Sequence, residues 1–186
     1  GYFDAIEVQI FLNLLAIIDN PLQDIPLISV LRSPIGGFST EELITLRADC
    51  REGLFYEALK DGADRDTPLG HKAVGFLGRL KRWRAQGELY DITELIAMLL
   101  EDTGFENYVS ALPGGQSRHA NLEALIKNAG IYSNSGHGIR GFLRFMEKAR
   151  SGDSLGAAQI ASANVVRLIS IHKSKGLEFP AVMPLH

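Results

Sequence analysis

A run of branched apolar residues near the end of the chain stops abruptly at a polar loop. Residues 165–171 are mostly Val, Ile and Leu, a composition typical of a buried strand. The loop that follows reads His-Lys-Ser-Lys-Gly at 172–176. In α/β folds ligands bind at the carboxyl ends of strands, where Lys175 would add charge and Gly176 would let a backbone N–H approach a phosphate. The pattern alone fits either a ligand-binding loop or an ordinary polar turn.

The preceding residues favour helices. Apolar residues recur at helical spacing over 4–18, and Pro21 predicts the end of that helix because the residue before proline avoids the α region. Short helices are also expected at 25–33, within 39–61 with a break at Gly53, and at about 140–150. Two capping boxes mark further helix starts: Ser39 with Glu42, and Asp91 with Glu94.

A basic helix is predicted at 71–87. It contains five cations and no acid: Lys72, Arg79, Lys81, Arg82 and Arg84. Trp83 falls on its apolar face and is expected to anchor the core, whereas Arg79 and Arg82 are expected on the opposite face. Such a face is usually only solvated, and binding to a duplex backbone is the sharper alternative.

The segment Ile35-Gly36-Gly37 comes just before a predicted helix start. Two glycines at such a position can expose backbone N–H groups to an anion. A tight turn between two helices explains the same residues equally well. Both interpretations stay open.

Residues 170–180, Ser-Ile-His-Lys-Ser-Lys-Gly-Leu-Glu-Phe-Pro, closely resemble motif V of the UvrD/PcrA/Rep-like superfamily 1 DNA helicases. The wording is most similar to the AddA branch, the helicase–nuclease subunits of bacterial double-strand-break processing. The resemblance covers most of the chain and is strongest at 1–39, 91–129 and 165–180.

The resemblance implies a mostly α fold. A helical 2B-like domain at 21–162 would be inserted into part of a RecA-like α/β lobe, called 2A. Residues 1–20 would be the start of that lobe, and residues 163–186 would be its returning strand with motif V. The chain would then be a fragment of a larger protein.

The resemblance also implies roles for the loop after the strand. Ser170 and His172 would contact single-stranded DNA, and Lys175 would add a further DNA contact. The amide of Gly176 would lie near the γ-phosphate of ATP, and Glu178 would accept a hydrogen bond from the ribose. One loop would therefore touch both ligands, which couples nucleotide state to the grip on DNA.

Three positions depart from the family pattern. Gly36 and Gly37 occupy the place of the Gly-Ile-Gly element, which touches duplex DNA in the family, but the order here is Ile-Gly-Gly. Ser170 stands where threonine is usual and keeps the hydroxyl. Pro184 interrupts the following strand and would remove a ladder hydrogen bond, which puts the nucleotide side of the loop in question.

Several chemistries have no motif here. There is no G-x-x-x-x-G-K-[ST] loop, no H-E-x-x-H and no C-x-x-C pair, so the fragment alone is not expected to hydrolyse ATP, cut DNA or hold a cofactor. The G-x-G-x-x-G match at 136–141 lacks a preceding strand and is expected to open a helix instead. The net charge of −3 gives no global basic field.

The expected setting is the cytoplasm. The single cysteine, Cys50, fits a reducing compartment. No apolar run is long enough for a membrane span, so no membrane partner is expected. The resemblance implies that the parent protein uses ATP with Mg, binds single-stranded and duplex DNA, and pairs with a second, AddB-like helicase/nuclease subunit.

Three functional hypotheses follow. The chain is part of an ATP-dependent DNA helicase/nuclease that unwinds DNA ends in double-strand-break repair and recombination. Alternatively, it is a helical module that binds DNA or a partner without motor activity. The third hypothesis is a truncated remnant with no activity of its own.

Overall fold

A computed structural model describes residues 2–134, 136 and 138–152, and the regular structure within them is helical throughout. This confirms the predicted mostly α class. The predicted strand and motif V, at 163–186, lie outside the described residues. A 3₁₀ turn at Tyr2–Asp4 precedes the α-helices of the described part: α1 (Ile6–Asp19), α2 (Asp24–Arg32), α3 (Thr40–Asp49), α4 (Phe55–Ala63), α5 (Pro68–Gly87), α6 (Ile92–Thr103), α7 (Phe105–Ser110), α8 (Gly115–Ser133) and α9 (Ile139–Ser151).

Local signals fix several of the helix ends. The backbone N–H of Ser39 donates to Glu42 Oε2 (2.7 Å), and Ser39 Oγ accepts from the N–H of Glu42 (3.2 Å). Asp91 likewise accepts from the N–H of Glu94 (2.9 Å). Asn20 adopts an extended conformation (φ −147°) before Pro21 and ends α1. The predicted capping boxes and the predicted proline stop are therefore confirmed.

The G-x-G-x-x-G match joins two helices. Helix α8 ends at Ser133 and α9 begins at Ile139. Gly138 immediately precedes α9 with φ +78°, a value that favours glycine. A dinucleotide site needs a strand before the glycines, so the prediction that this segment only opens a helix is confirmed.

Helix α1 lies at the centre of the helical core. It packs against α2, α5, α8 and α9. Its inward face carries Phe11, Leu14, Leu15 and Ile17, all completely buried. The first twenty residues, expected to begin a separate α/β lobe, thus share one apolar core with the helices that follow. The domain boundary at residue 20 stays a prediction that this packing does not mark.

A buried ion pair joins α1 to α8. The carboxylate of Glu7 is only 3% exposed. Its Oε2 lies 2.8 Å from Arg118 Nη1, and its Oε1 accepts a hydrogen bond from Asn121 Nδ2 at 2.7 Å. A buried carboxylate needs such partners, so these contacts fix how the two helices pack.

Within the described ranges, no helix combines the length and the apolar character needed to cross a membrane.

Candidate nucleic-acid interface

The described residues contain four of the predicted DNA-contacting residues. Gly36 and Gly37 lie in the turn between α2 and α3, and Arg79 and Arg82 lie on α5. The remaining predicted site residues lie outside the described residues: Ser170, His172, Lys175, Gly176 and Glu178.

Helix α5 starts slightly earlier than the pattern predicts. Thr67 caps it by accepting a hydrogen bond from the N–H of Gly70 (3.0 Å), and Pro68 occupies the first helical position, where its missing N–H costs nothing. Phe76 and Trp83 are buried on the inner side of the helix. The prediction that Trp83 anchors the core is confirmed.

Arg79 does not lie opposite the apolar face, as the pattern predicted. Its guanidinium carbon lies 5.7 Å from the ring centroid of Phe76 and 5.5 Å from that of Trp83. A long side chain can lay its apolar stem on such rings while the cation gains from their π faces. Burial lowers the pKa of Arg79, and attraction to Asp102 opposes that change. Arginine stays charged at neutral pH regardless.

Arg82 is paired with an acid from a different helix. Its Nη2 lies 2.9 Å and 2.7 Å from the two carboxylate oxygens of Asp102 in α6. Trp83 Nε1 donates to the same carboxylate at 2.6 Å. Partial burial by itself raises the pKa of Asp102, but the hydrogen bonds from Trp83 and Arg82 outweigh it and hold the pKa below its usual value. The basic helix is therefore partly neutralised.

Asp102 is the residue that sequence reasoning missed. The pattern at 71–87 contains no acid, and nothing in the spacing of α6 indicates which residue of α5 it will contact. A buried tryptophan does need a partner for its N–H, which is the one available signal. It points to an acceptor without saying where in the chain that acceptor is.

The turn at Gly36 and Gly37 uses its own amides. The N–H of Gly36 donates to the carbonyls of Val30 (3.2 Å) and Ser33 (3.1 Å), and that of Gly37 donates to Ser33 (2.7 Å). A Cβ on Gly36 would lie 2.4 Å from Leu31 Cα, and Gly37 has φ +73°. A tight turn thus explains both glycines. The amides on which the predicted anion contact depended are already hydrogen-bonded.

This turn and α5 lie side by side. The ring of Phe38, next to Gly37, meets the ring of Phe76 edge-on with centroids 6.2 Å apart. Lys72 Nζ lies 2.6 Å from Glu42 Oε2 and 4.9 Å from the centroid of Phe38. The predicted duplex contacts, far apart in sequence, are therefore neighbours in space.

Two glycines lie on the exposed side of α5. A Cβ at Gly75 or Gly78 would meet no atom within 4 Å, so internal packing gives no reason for them. Each precedes an arginine, Arg79 or Arg82, by one helical turn. We call Gly75, Gly78, Arg79 and Arg82 the α5 surface. It lets a polymer backbone approach the helix closely beside two cations.

Across residues 2–134, 136 and 138–152, no three His, Cys, Asp or Glu side chains are grouped so that they could hold a metal ion.

Comparison with known proteins shows strong similarity along nearly the whole chain. No family model matches it. It is 48% identical over 189 residues to the ATP-dependent helicase/nuclease AddA of Alkaliphilus oremlandii, covering 98% of this chain and 16% of that protein. The protein of the same name from Bacillus licheniformis is also 48% identical, and that from Thermoanaerobacter pseudethanolicus is 46% identical. The chain spans only 15–16% of the length of these relatives. The chain is therefore homologous, over 98% of its length, to one segment of the AddA family of ATP-dependent helicase/nucleases.

Proposed function

We propose that this chain is a segment of an ATP-dependent DNA helicase/nuclease that unwinds DNA ends in double-strand-break repair and recombination. The observation that carries the proposal is the match of 46–48% identity over 98% of the chain to proteins named as AddA-type ATP-dependent helicase/nucleases. A match of that coverage includes the helical part and residues 165–180 together.

Within such a protein, the loop at 170–178 would couple ATP to DNA. Ser170, His172 and Lys175 would bind the single-stranded backbone without reading its sequence. The Gly176 amide and Glu178 would contact the nucleotide. The main binding motifs for ATP and Mg would lie elsewhere in the whole protein, because this chain has no G-x-x-x-x-G-K-[ST] loop.

The first experiment uses the whole protein that contains this segment. His172→Ala is expected to weaken the stimulation of ATP turnover by single-stranded DNA, because one backbone contact is lost, while the protein stays folded. His119→Ala, a change at a surface histidine of α8, is the matched control and should leave the stimulation unchanged. Normal stimulation in the His172 variant would remove the motif V assignment.

The helical part would contribute duplex contacts through the α5 surface. This is supported by the two arginines, by the glycines beside them, and by the neighbouring turn at Gly36 and Gly37. With the turn amides already used, we propose that duplex phosphates are bound by Arg79 and Arg82, and that the turn approaches the duplex through its small glycine surface.

Binding of forked DNA by the 186-residue chain tests the duplex contact. Affinity should fall with salt by about one unit of log–log slope per phosphate contact. The double change Arg79→Ala with Arg82→Ala should flatten that slope, whereas Lys127→Ala with Lys148→Ala, on α8 and α9, should not. Equal salt slopes for the two variants would leave the α5 cations as a solvated face.

A second candidate function is a DNA- or partner-binding module without motor activity. It is favoured by one observation: the α5 surface is complete within the described residues and needs no nucleotide. A whole protein that binds forked DNA equally with and without ATP, and does not turn ATP over, would support this candidate. In either case we propose a cytoplasmic protein whose partner is a second, AddB-like helicase/nuclease subunit.

A further inference from the structure

An open groove lies between α2 and α3 on a side of the molecule that the α5 surface does not include. It encloses about 550 Å³. Helix α4 packs against both α2 and α3, and its first residue, Phe55, contributes to the lining. Aliphatic residues supply most of the remaining floor: Ile28, Leu43, Ile44 and Ala48.

Three arginines line this groove: Arg32, Arg47 and Arg51. Arg47 is held in place, because its guanidinium carbon lies 5.1 Å from the Phe55 ring centroid and its Nη2 lies 3.6 Å from Asp24 Oδ2. Arg32 and Arg51 are exposed, and neither forms an ion pair with any residue of the described part. The groove therefore offers two unpaired cations above an apolar floor.

The chemistry of the floor distinguishes two possible occupants. Single-stranded nucleic acid stacks its bases on exposed aromatic rings. The one aromatic residue that lines the described groove, Phe55, is 3% exposed and lies under Arg47. Ile44, in contrast, is 62% exposed. The groove thus presents aliphatic surface to apolar side chains, and its described lining has no exposed ring for bases.

We propose that this groove binds an acidic amphipathic helix of a partner protein. Apolar side chains at helical spacing would cover Ile28 and Ile44, as in other helix-in-groove complexes. Glu or Asp side chains beside them would pair with Arg32 and Arg51, whose guanidinium groups match a carboxylate in geometry and charge. The inference does not depend on the proposed motor function.

The probe is a labelled synthetic helix of about sixteen residues with Leu at i, i+3, i+4 and i+7 and Glu along both flanks. One control peptide replaces every Glu with Lys, and a second replaces every Leu with Ala. Fluorescence anisotropy with the 186-residue chain should give binding about tenfold tighter for the probe than for either control.

Two charge-matched variants locate the binding. Arg32→Gln with Arg51→Gln should weaken the probe about tenfold. Lys127→Gln with Lys148→Gln, which removes the same charge from α8 and α9, should leave binding unchanged. Ile44→Ser, at an exposed position, should weaken the probe and leave the melting temperature unchanged.

Three results would overturn the proposal. They are equal affinity for the Glu and Lys peptides, equal loss in the two charge-matched variants, or no probe binding at millimolar concentration. An oligo-dT strand that binds more tightly than the probe, and is lost with Arg32→Gln and Arg51→Gln, would assign the groove to nucleic acid instead.

Discussion

At the scale of single residues, Asp102 controls how much positive charge α5 presents. Its carboxylate accepts hydrogen bonds from Arg82 and from Trp83 Nε1, and it attracts Arg79. A DNA phosphate that approaches Arg82 must compete with this carboxylate for the same guanidinium. The acid therefore orients the cation and lowers its affinity for phosphate at the same time.

Asp102→Asn is expected to tighten binding of forked DNA. The amide oxygen can still accept from Trp83, while the competing charge is removed. The salt slope should steepen by about one unit, because one more phosphate contact becomes available. The measurement is a salt titration of anisotropy. Unchanged affinity and slope would mean that Arg82 does not face DNA.

Glu7 and Arg118 form the residue-scale contact that matters most for stability. Arg118→Ala leaves a carboxylate that is 3% exposed without its cation, so we expect a loss of about 2 kcal/mol in the free energy of unfolding. Urea denaturation provides the measurement. The same change in a Glu7→Gln background should cost less, because no charge is then left unpaired.

Arg140→Ala is the matched control for that ion pair. Arg140 pairs with Asp19 but its side chain is 72% exposed, so its loss should cost about 0.5 kcal/mol or less. Equal losses for Arg118→Ala and Arg140→Ala would show that burial of Glu7 does not decide the outcome.

At the scale of elements, α5 sacrifices helix stability on its exposed side. Gly75→Ala and Gly78→Ala should each raise the free energy of unfolding by about 1 kcal/mol, because the new methyl group meets no neighbour and alanine favours the helix. If a DNA backbone approaches this side, the same changes should weaken binding of forked DNA. Thermal denaturation and anisotropy measure the two effects.

Gly70 in the same helix provides the control. A Cβ there would lie 2.1 Å from the carbonyl oxygen of Arg65, so Gly70→Ala should destabilise the chain. Stabilised Gly75 and Gly78 variants with unchanged DNA affinity would leave these glycines without a binding role.

At the scale of the whole molecule, the core depends on α1. Removal of residues 1–20 would expose the surfaces of α2, α5, α8 and α9 that α1 covers. We expect the shortened chain to lose cooperative unfolding in urea, since the completely buried side chains of α1 are lost at about 1.5–3 kcal/mol of burial each. Removal of residues 1–4 alone, which keeps α1, should preserve cooperativity. A cooperative fold for the chain that begins at residue 21 would support a domain boundary there.

The accuracy of the predictions depended on the range of the signals. Helix starts at Thr40 and Ile92, the stop at Asn20 and the role of Gly138 follow from signals within a few residues, and the structure confirms them. The position of Arg79 was predicted wrongly, because helical spacing alone does not account for a long side chain folding back over neighbouring rings. The loop at 170–178 carries the predicted nucleotide and single-strand contacts by resemblance, and they stay predictions.

The sequence by itself determined the helical class, most helix ends and the likeness to a helicase motif, because capping, periodicity and short motifs are written in neighbouring residues. Only the tertiary structure decided that Asp102 pairs with Arg82, that the amides beside Gly36 are already used, that α1 is central, and that an arginine-lined groove lies between α2 and α3. The physical reason is that these contacts join residues far apart in the chain. Their partners are selected by how the helices pack, and no local pattern encodes that choice.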